Sequence, residues 1–144
     1  MITKPDNFFD KIKYYFWKFI VFPVFPYVRD LLLRLRIIYH SGRQPWHIGF
    51  LAPGKKVEDF ETSLIDKGFS RNKIAWIDSD EVLSLRLVDS FEHQYHIRLF
   101  KDGEIRAHYE QTPEIHPIGH FFESVFEAKT EEFKKYIGNW CLYK

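Results

Sequence analysis

The sequence predicts an α+β fold: a small antiparallel sheet of about four strands with helices on one face, preceded by an N-terminal amphipathic helical arm. The first observation is the order of the patterns, with helical spacing, then four strand-like segments, then helical spacing again. The second is an uneven distribution of charge. Residues 1–50 carry eight Lys and Arg against three Asp, and residues 51–144 carry thirteen against seventeen acidic residues. We therefore divide the chain into a basic, aromatic-rich arm, residues 1–45, and an α+β domain, residues 46–144.

The composition excludes several classes of protein. A chain of 144 residues that is 45% hydrophobic is not intrinsically disordered. Its single cysteine, Cys141, allows neither an intramolecular disulfide nor a cysteine-based zinc site. Between Lys18 and Arg29 lie only ten uncharged residues, interrupted by Pro23 and Pro26, whereas a membrane-spanning helix needs about 20 apolar residues. A transmembrane helix is therefore not predicted.

The first part of the arm has the pattern of a helix that lies in a membrane surface. Asn7 can cap a helix that runs to about Phe22, where Pro23 is expected to end it. Apolar side chains recur on one face, and lysines border it. The predicted membrane contacts are Phe8, Phe9, Ile12, Phe16, Phe19, Lys11, Lys13 and Lys18. Bulky rings with flanking lysines are typical of interfacial helices, because lysine stems can reach lipid phosphates.

A second helix is predicted to begin at Pro26 and to end near Gly42. Its apolar stripe consists of Val28, Leu31, Leu32, Leu35 and Tyr39. Both helices can equally pack on the domain or form a dimer, and these alternatives stay open. A Phe- and Ile-rich surface is not typical of nucleic-acid binding, so nucleic acid is the less favoured partner. The sequence thus favours a membrane surface or membrane protein as partner, with a homo-oligomer as the alternative.

The α+β domain has six predicted elements after a linker or short strand at residues 44–55. A helix over about residues 56–67 turns Val57, Phe60 and Leu64 inward and ends at Gly68. Strands are predicted at residues 73–78, 82–88, 93–100 and 104–111. A C-terminal helix is expected from about Ile118, with Phe121, Phe122, Val125 and Phe126 inward. It continues, or restarts at Thr130, to place Phe133, Tyr136 and Ile137 inward.

The turn after Phe100 fixes a register for the last three strands. A three-residue loop, residues 101–103, pairs Phe100 with Glu104 and separates polar from apolar side chains, whereas a two-residue turn mixes them. Leu83, Leu85 and Leu87 are then expected opposite Leu99, Ile97 and Tyr95. On the other face, one row reads Arg86, His96, His108 and the next reads Ser84, Arg98, Arg106.

This polar face is a candidate ligand site, because like charges opposite one another on a sheet need a counter-charge. Arg86, Arg98 and Arg106 are candidates to bind an anionic group. If the protein is an enzyme, His96 and His108 would act as general base and acid with Glu110 as a third proton-transfer group, in a metal-independent phosphodiesterase or ribonuclease-like hydrolase. The alternative is that carboxylates of the chain neutralise the face, since Glu104 lies diagonal to Arg98 and Glu110 to His96.

A second cluster contains His116 and His120, four residues apart, which are weak candidates for a metal site with Glu110 or Glu114. The proline and glycine between them favour a turn, so no metal and no cofactor are predicted. The sequence leaves the question of an enzyme open and favours a small non-enzymatic protein. We expect it to be cytoplasmic and peripheral to a membrane, held there by its N-terminal helices, with the basic sheet face binding an anionic group or partner.

Overall fold

The computed structural model describes residues 7–39, 43, 46–75, 77–115 and 126–143. Its helices are α1 (Phe8–Phe16), α2 (Phe22–Arg34), α3 (Val57–Asp66) and α4 (Thr130–Ile137). A π-helical turn, Trp17–Val21, joins α1 to α2, and a 3-10 turn, Gly138–Trp140, follows α4. The strands are β1 (His47–Leu51), β2 (Ser70–Arg71), β3 (Glu81–Val88), β4 (His93–Phe100), β5 (Glu104–Gln111), β6 (Phe126–Glu127) and β7 (Cys141–Tyr143).

The predicted α+β class is confirmed, but the antiparallel sheet has seven strands in the described residues rather than about four. The strand order is β2-β3-β4-β5-β1-β7, and β6 pairs with β5 beyond the end of β1. The strands β3, β4 and β5 match the predicted segments. The strands β2, β6 and β7 escaped prediction because two or three residues are too few to show an alternating pattern.

The strand predicted at residues 73–78 is wrong: the described residues there form turns and irregular backbone. Their polar groups bond to side chains instead of to a neighbouring strand. The carbonyl of Ala75 accepts from Arg29 at 2.6 Å, and the backbone N–H of Asp78 donates to Glu81 at 3.1 Å. Since these side chains satisfy the carbonyl of Ala75 and the N–H of Asp78, these two groups need no partner on a neighbouring strand.

The C-terminal helix is confirmed only from Thr130, where α4 buries Phe133 and Ile137. The start at Ile118 lies outside the described residues, as do Phe121, Phe122 and Val125. Phe126 was expected on this helix and instead lies in β6, with its ring stacked on His108 at a centroid distance of 4.1 Å. A two-residue strand that pairs with β5 gives Phe126 this position.

The core lies on the apolar face of the sheet. The predicted register is confirmed there: Leu83, Leu85 and Leu87 lie opposite Leu99, Ile97 and Tyr95. The helix α3 contributes Phe60 and Leu64 to the same cluster of buried residues, and α4 contributes Phe133 and Ile137. These two helices therefore bury one face of the sheet, and the other face is left to the polar side chains.

The arm forms one long helix, residues 8–34, which we call the N-terminal helix, rather than two helices separated at Pro23. Asn7 caps its start as predicted, accepting from Phe9 N–H at 2.9 Å. The N–H of Phe22 bonds to the carbonyl of Trp17, five residues earlier, in the π turn. Pro23 follows as the second residue of α2, where a first helical turn tolerates a missing N–H. The expected break is therefore absorbed by the π turn.

The N-terminal helix ends at Arg34, earlier than the predicted stop near Gly42, which lies outside the described residues. Arg36 adopts the left-handed conformation with φ of 56°. Its N–H bonds to the carbonyl of Leu33 at 3.1 Å, and the N–H of Ile37 bonds to that of Leu32 at 3.0 Å. These two bonds form the C-terminal capping pattern that usually employs glycine, so the helix stops without one.

Candidate functional site

The N-terminal helix presents one exposed apolar face. We call it the exposed stripe; its members are Phe8, Phe9, Ile12, Tyr15, Phe16, Phe19, Ile20, Val24, Tyr27, Val28, Leu31 and Leu35. Each of them is at least 45% exposed, which is unusual for so many neighbouring large apolar side chains. All five apolar residues predicted to contact a membrane belong to it. The stripe extends over about 40 Å at a rise of 1.5 Å per residue.

The π turn keeps the two halves of the exposed stripe on one side of the helix. A π turn contains about one more residue than an α turn, so an all-α helix would rotate the second half by about 100° relative to the first. With the extra residue, Val24, Tyr27 and Leu31 continue the line of Ile12 and Ile20. The apolar faces of the two predicted helices thus form one continuous apolar surface.

The opposite side of the N-terminal helix contacts the sheet domain. Arg29, which is buried, donates to the carbonyl of Ala75, and Lys13 donates to the carbonyl of Ile115. Between them, the ring of Tyr14 lies 5.5 Å from that of Phe91. These contacts fix which side of the helix faces outward, and one of them involves Lys13, which was predicted to contact the membrane.

Cations dominate the polar residues of this helix. Between residues 8 and 39 there are six Lys and Arg against two Asp. Lys11, Lys18, Arg34 and Arg36 are exposed. In the part of the chain that the structure describes, no helix has the length and apolar character needed to cross a membrane. The surface therefore combines a broad apolar face with positive charge.

The polar face of the sheet has the predicted register but is buried. Arg86 pairs with His96 and His96 with His108; Ser84 pairs with Arg98 and Arg98 with Arg106. We call this set the polar layer; it consists of Ser84, Arg86, Gln94, His96, Arg98, Glu104, Arg106, His108 and Glu110. At its centre Arg98, His108 and Glu110 are at most 1% exposed. The middle of the polar face is therefore interior, whereas Arg86 and Arg106 are partly exposed.

Two arginines of the polar layer form ion pairs with carboxylates of the same chain. Arg98 pairs with Asp78 at 2.7 Å and with Glu81 at 2.5 Å. A bulge between Glu81 and Leu83 places Glu81 on the polar face, since regular alternation from Leu83 would turn it toward the core. Arg106 pairs with Glu104 at 2.9 Å. The counter-charge that the sequence assigned to a ligand or to diagonal carboxylates thus comes largely from Asp78, Glu81 and Glu104.

Glu104 is the centre of a second group of charges. Its carboxylate binds Arg43, His47 and Arg106, with 2.7 Å to His47 Nδ1 and 2.9 Å to Arg106 Nε. Burial alone would raise the pKa of Glu104, but the hydrogen bonds from these three side chains lower it below its ordinary value. Glu104 is therefore held as a carboxylate by hydrogen bonds from side chains on β1, β5 and the segment before β1.

His96, His108 and Glu110 form a compact cluster at the middle of the layer. His96 Nδ1 lies 3.3 Å from His108 Nε2, and Glu110 Oε2 lies 2.8 Å from the same His108 nitrogen. Glu110 Oε1 lies 3.6 Å from His96 Nδ1. The three residues proposed from the sequence as proton-transfer groups are thus brought together, because His96 and His108 are directly paired and Glu110 follows two residues along β5.

Arg86 has a different environment from the other two arginines. It pairs with Glu114 at 3.1 Å and also lines a cavity of about 260 Å³ between the N-terminal helix and the sheet. Lys18 and Phe22 line the helix side of this cavity. Among the described residues, Arg86 therefore borders a cavity, in contrast to the fully buried Arg98.

Several residues that pair with the polar layer were not predicted from the sequence. Asp78 and Glu81 escaped it because the first fell in a wrongly predicted strand and the second depends on a bulge. His47 and Arg43 lie in or before a segment interpreted as linker, and nothing local indicates their partner Glu104. The predicted weak metal ligands His116 and His120 lie outside the described residues.

Comparisons with known proteins give no relative: no family model matches the chain, and no match is found among curated proteins or solved structures. The fold and its two surfaces define the class directly. The chain is an α+β protein with an antiparallel sheet that is buried on its apolar face and at the middle of its polar face. Within the described residues, a long amphipathic helix contacts this sheet domain through the side opposite the exposed stripe.

Proposed function

We propose that the protein is a non-enzymatic peripheral membrane protein whose N-terminal helix lies in the interface of an anionic lipid surface. The observation that carries this proposal is the exposed stripe, whose twelve large apolar side chains face away from the domain. Burying one such side chain contributes about 1.5–3 kcal/mol, so even partial insertion of the stripe favours binding strongly. The domain contacts of Arg29 and Tyr14 hold the helix in the orientation that binding requires.

The positive charge of the N-terminal helix supports an anionic lipid surface as the partner of the exposed stripe. Three exposed cations, Lys11, Arg34 and Arg36, accompany the exposed stripe, and each basic residue near an anionic leaflet contributes about 1 kcal/mol. The stripe is rich in phenylalanine and tyrosine, whose rings favour the headgroup level of a bilayer. Since anionic lipids are concentrated in the cytoplasmic leaflet, we place the protein on that side of the membrane.

The width of the exposed stripe favours a flat surface over a partner helix. Helix pairs use a narrow seam in which apolar residues alternate at spacings of three and four. Here adjacent residues are exposed together at four places: Phe8 with Phe9, Tyr15 with Phe16, Phe19 with Ile20, and Tyr27 with Val28. Such doublets widen the apolar face beyond a coiled-coil seam and suit insertion into a plane.

Burial of the polar layer favours a non-enzymatic function over the phosphodiesterase alternative. A substrate phosphodiester would have to reach His96 and His108 together, and both rings are buried within the described structure. Arg98 and Arg106, which would bind its phosphate, already pair with carboxylates. Binding of an anionic group at the sheet is proposed only for Arg86, where the cavity beside Lys18 provides space.

Vesicle flotation with the full chain tests the proposal. We expect the protein to float with vesicles that contain phosphatidylserine and to float less with phosphatidylcholine alone. The variant F16A should weaken binding about tenfold and F16A/I20A about a hundredfold, since about 1.4 kcal/mol corresponds to a factor of ten. The control I65A removes an equally exposed apolar side chain from α3 and should bind as the wild type does.

Two outcomes contradict the proposal. One is an absence of flotation on anionic vesicles, and the other is equal flotation by wild type and F16A/I20A. Sedimentation velocity of the same variants identifies the competing occupant: if the wild type is a dimer that F16A/I20A dissociates while flotation is absent, the exposed stripe is an interface between two copies of the chain.

A further inference from the structure

The cluster of His96, His108 and Glu110 has the composition of a transition-metal site. Two imidazole nitrogens and a carboxylate are a common ligand set for zinc and for other divalent first-row ions. Each residue offers one donor atom, and these three atoms lie within 4.8 Å of one another. All three side chains are buried in the described structure.

The distances match those around a bound ion. Ligands at about 2.1 Å from a tetrahedral zinc lie about 3.4 Å from one another. His96 Nδ1 and His108 Nε2 are 3.3 Å apart, and the Glu110 oxygens lie 2.8 Å and 3.6 Å from these nitrogens. The two Glu110 distances involve different oxygens, so a cation bound between the two nitrogens and one Glu110 oxygen requires the Glu110 side chain to shift.

His108 Nε2 has two neighbours in the cluster and cannot donate a hydrogen bond to both. A ring nitrogen of a neutral imidazole carries at most one proton, in the plane of the ring. If His108 Nε2 donates this proton to Glu110, it does not donate it to His96 Nδ1, which lies 3.3 Å away. A metal ion accepts all three lone pairs at once.

Neighbouring side chains orient the three ligands, although His108 Nδ1 has no hydrogen-bond partner among the described residues. Ser84 Oγ lies 2.9 Å and Asn72 Nδ2 3.4 Å from His96 Nε2, and a proton that Nε2 donates to Ser84 leaves a lone pair on Nδ1. Gln94 donates to Glu110 Oε1 at 2.5 Å. The ring of His108 is stacked on Phe126, which limits its rotation. These contacts orient the donor atoms before any ion binds.

We infer that His96, His108 and Glu110 bind one divalent transition-metal ion of the zinc class, which links β4 to β5 inside the polar layer. Because the ligands are buried, the ion would enter as the chain folds and would stabilise the folded state. This site is independent of the exposed stripe, which lies on the outer side of the N-terminal helix, so either proposal can fail without the other.

The test is zinc content after refolding. Untagged full-length protein is refolded from guanidinium with Zn²⁺, dialysed against metal-free buffer and analysed by mass spectrometry of the element. We expect about one zinc per chain, and a higher Tm than for protein refolded with chelator. Less than about a tenth of an equivalent with both Zn²⁺ and Co²⁺ would overturn the inference.

Variants assign the ligands. We expect H96Q and E110Q to lose at least about tenfold in bound zinc, whereas H93Q, at the edge of β4, retains the wild-type amount. Full zinc content in H96Q or E110Q would overturn the inference, because the ion would then lie elsewhere. The variants' circular dichroism shows whether they fold.

A measurement on the wild type needs no variant. Imidazole ¹⁵N chemical shifts, followed as Zn²⁺ is added during refolding, should change at His96 Nδ1 and His108 Nε2. Changes confined to the other histidines would contradict the assignment even if the variants fail to fold. With Co²⁺ we expect visible d–d absorption in the range of nitrogen and oxygen ligands, without a thiolate charge-transfer band.

Discussion

Arg29 Nη1 donates to the carbonyl oxygen of Ala75 at 2.6 Å and joins the N-terminal helix to the sheet domain. Arg29 is the buried residue of α2, and it lies on the side opposite the exposed stripe. Together with the Lys13–Ile115 and Tyr14–Phe91 contacts, this charge-assisted hydrogen bond holds the helix on the domain and leaves its other face exposed. The same hydrogen bond satisfies the carbonyl of Ala75, which lies in the segment, residues 73–78, that the sequence predicted as a strand.

Replacing Arg29 with methionine should loosen this docking. The variant keeps the apolar stem but loses the donor, and hydrogen bonds to charged groups contribute about 1.5–3 kcal/mol. We expect R29M to lower the free energy of unfolding by about 2 kcal/mol and to speed hydrogen exchange of α2 amides. The control R34M removes an exposed arginine of the same helix, and equal exchange in both variants would contradict the anchoring role.

Arg98 should be the most sensitive charge in the polar layer. Its loss leaves Asp78 and Glu81 buried without their partner, which typically costs about 3–5 kcal/mol. We expect R98M to show this loss in urea unfolding. Because the cost comes from unpaired charge, the triple variant R98M/D78N/E81Q should recover more than half of it; a triple variant less stable than R98M would contradict this account.

The stability of the second charge group should depend on pH through Glu104. Its pKa is lowered in the folded protein, so its contribution is complete above the unfolded value of about 4.5 and is lost as the pH falls through the folded value. At pH 7 we expect E104Q to be about 2 kcal/mol less stable than the wild type. The difference should shrink toward zero in acid, and a difference that is constant from pH 7 to pH 3 would contradict the lowered pKa.

The thiol of Cys141 should be unreactive in the folded protein. Burial raises its pKa to about 11, and only the thiolate attacks disulfide reagents. We expect slow modification by Ellman's reagent at pH 8 and rapid modification in guanidinium. Rapid reaction of the folded chain would show that β7, which pairs with β1 over Cys141–Tyr143, opens readily.

Some features of the fold could be predicted from the sequence and others could not, and the difference has a physical reason. Alternation and the turn at residues 101–103 predicted the register of β4 and β5, because a slip by one residue would exchange the two faces of the sheet. The bulge before Leu83 and the π turn Trp17–Val21 each add one residue, and no local residue pattern indicates that addition.

The candidate site shows the same division. The rows of the polar layer were predictable from the register, and so was the juxtaposition of His96 with His108. The burial of the polar layer could not be predicted, because the carboxylates that neutralise its arginines come from segments without a periodic pattern. The main example is Asp78. A face that reads as open and basic in the sequence is therefore closed and internally paired in the folded chain.

Spin labels on the exposed stripe test the central claim most directly. Cys141 stays in place as a buried thiol, and a label is attached at I20C in the exposed stripe or at D59C on the exposed surface of α3. On anionic vesicles we predict that the I20C label gains collisions with oxygen and loses collisions with a water-soluble nickel chelate, while the D59C label keeps its solution values. If the I20C label keeps its solution values, or loses collisions with both reagents as in a protein–protein contact, the exposed stripe does not lie in the lipid.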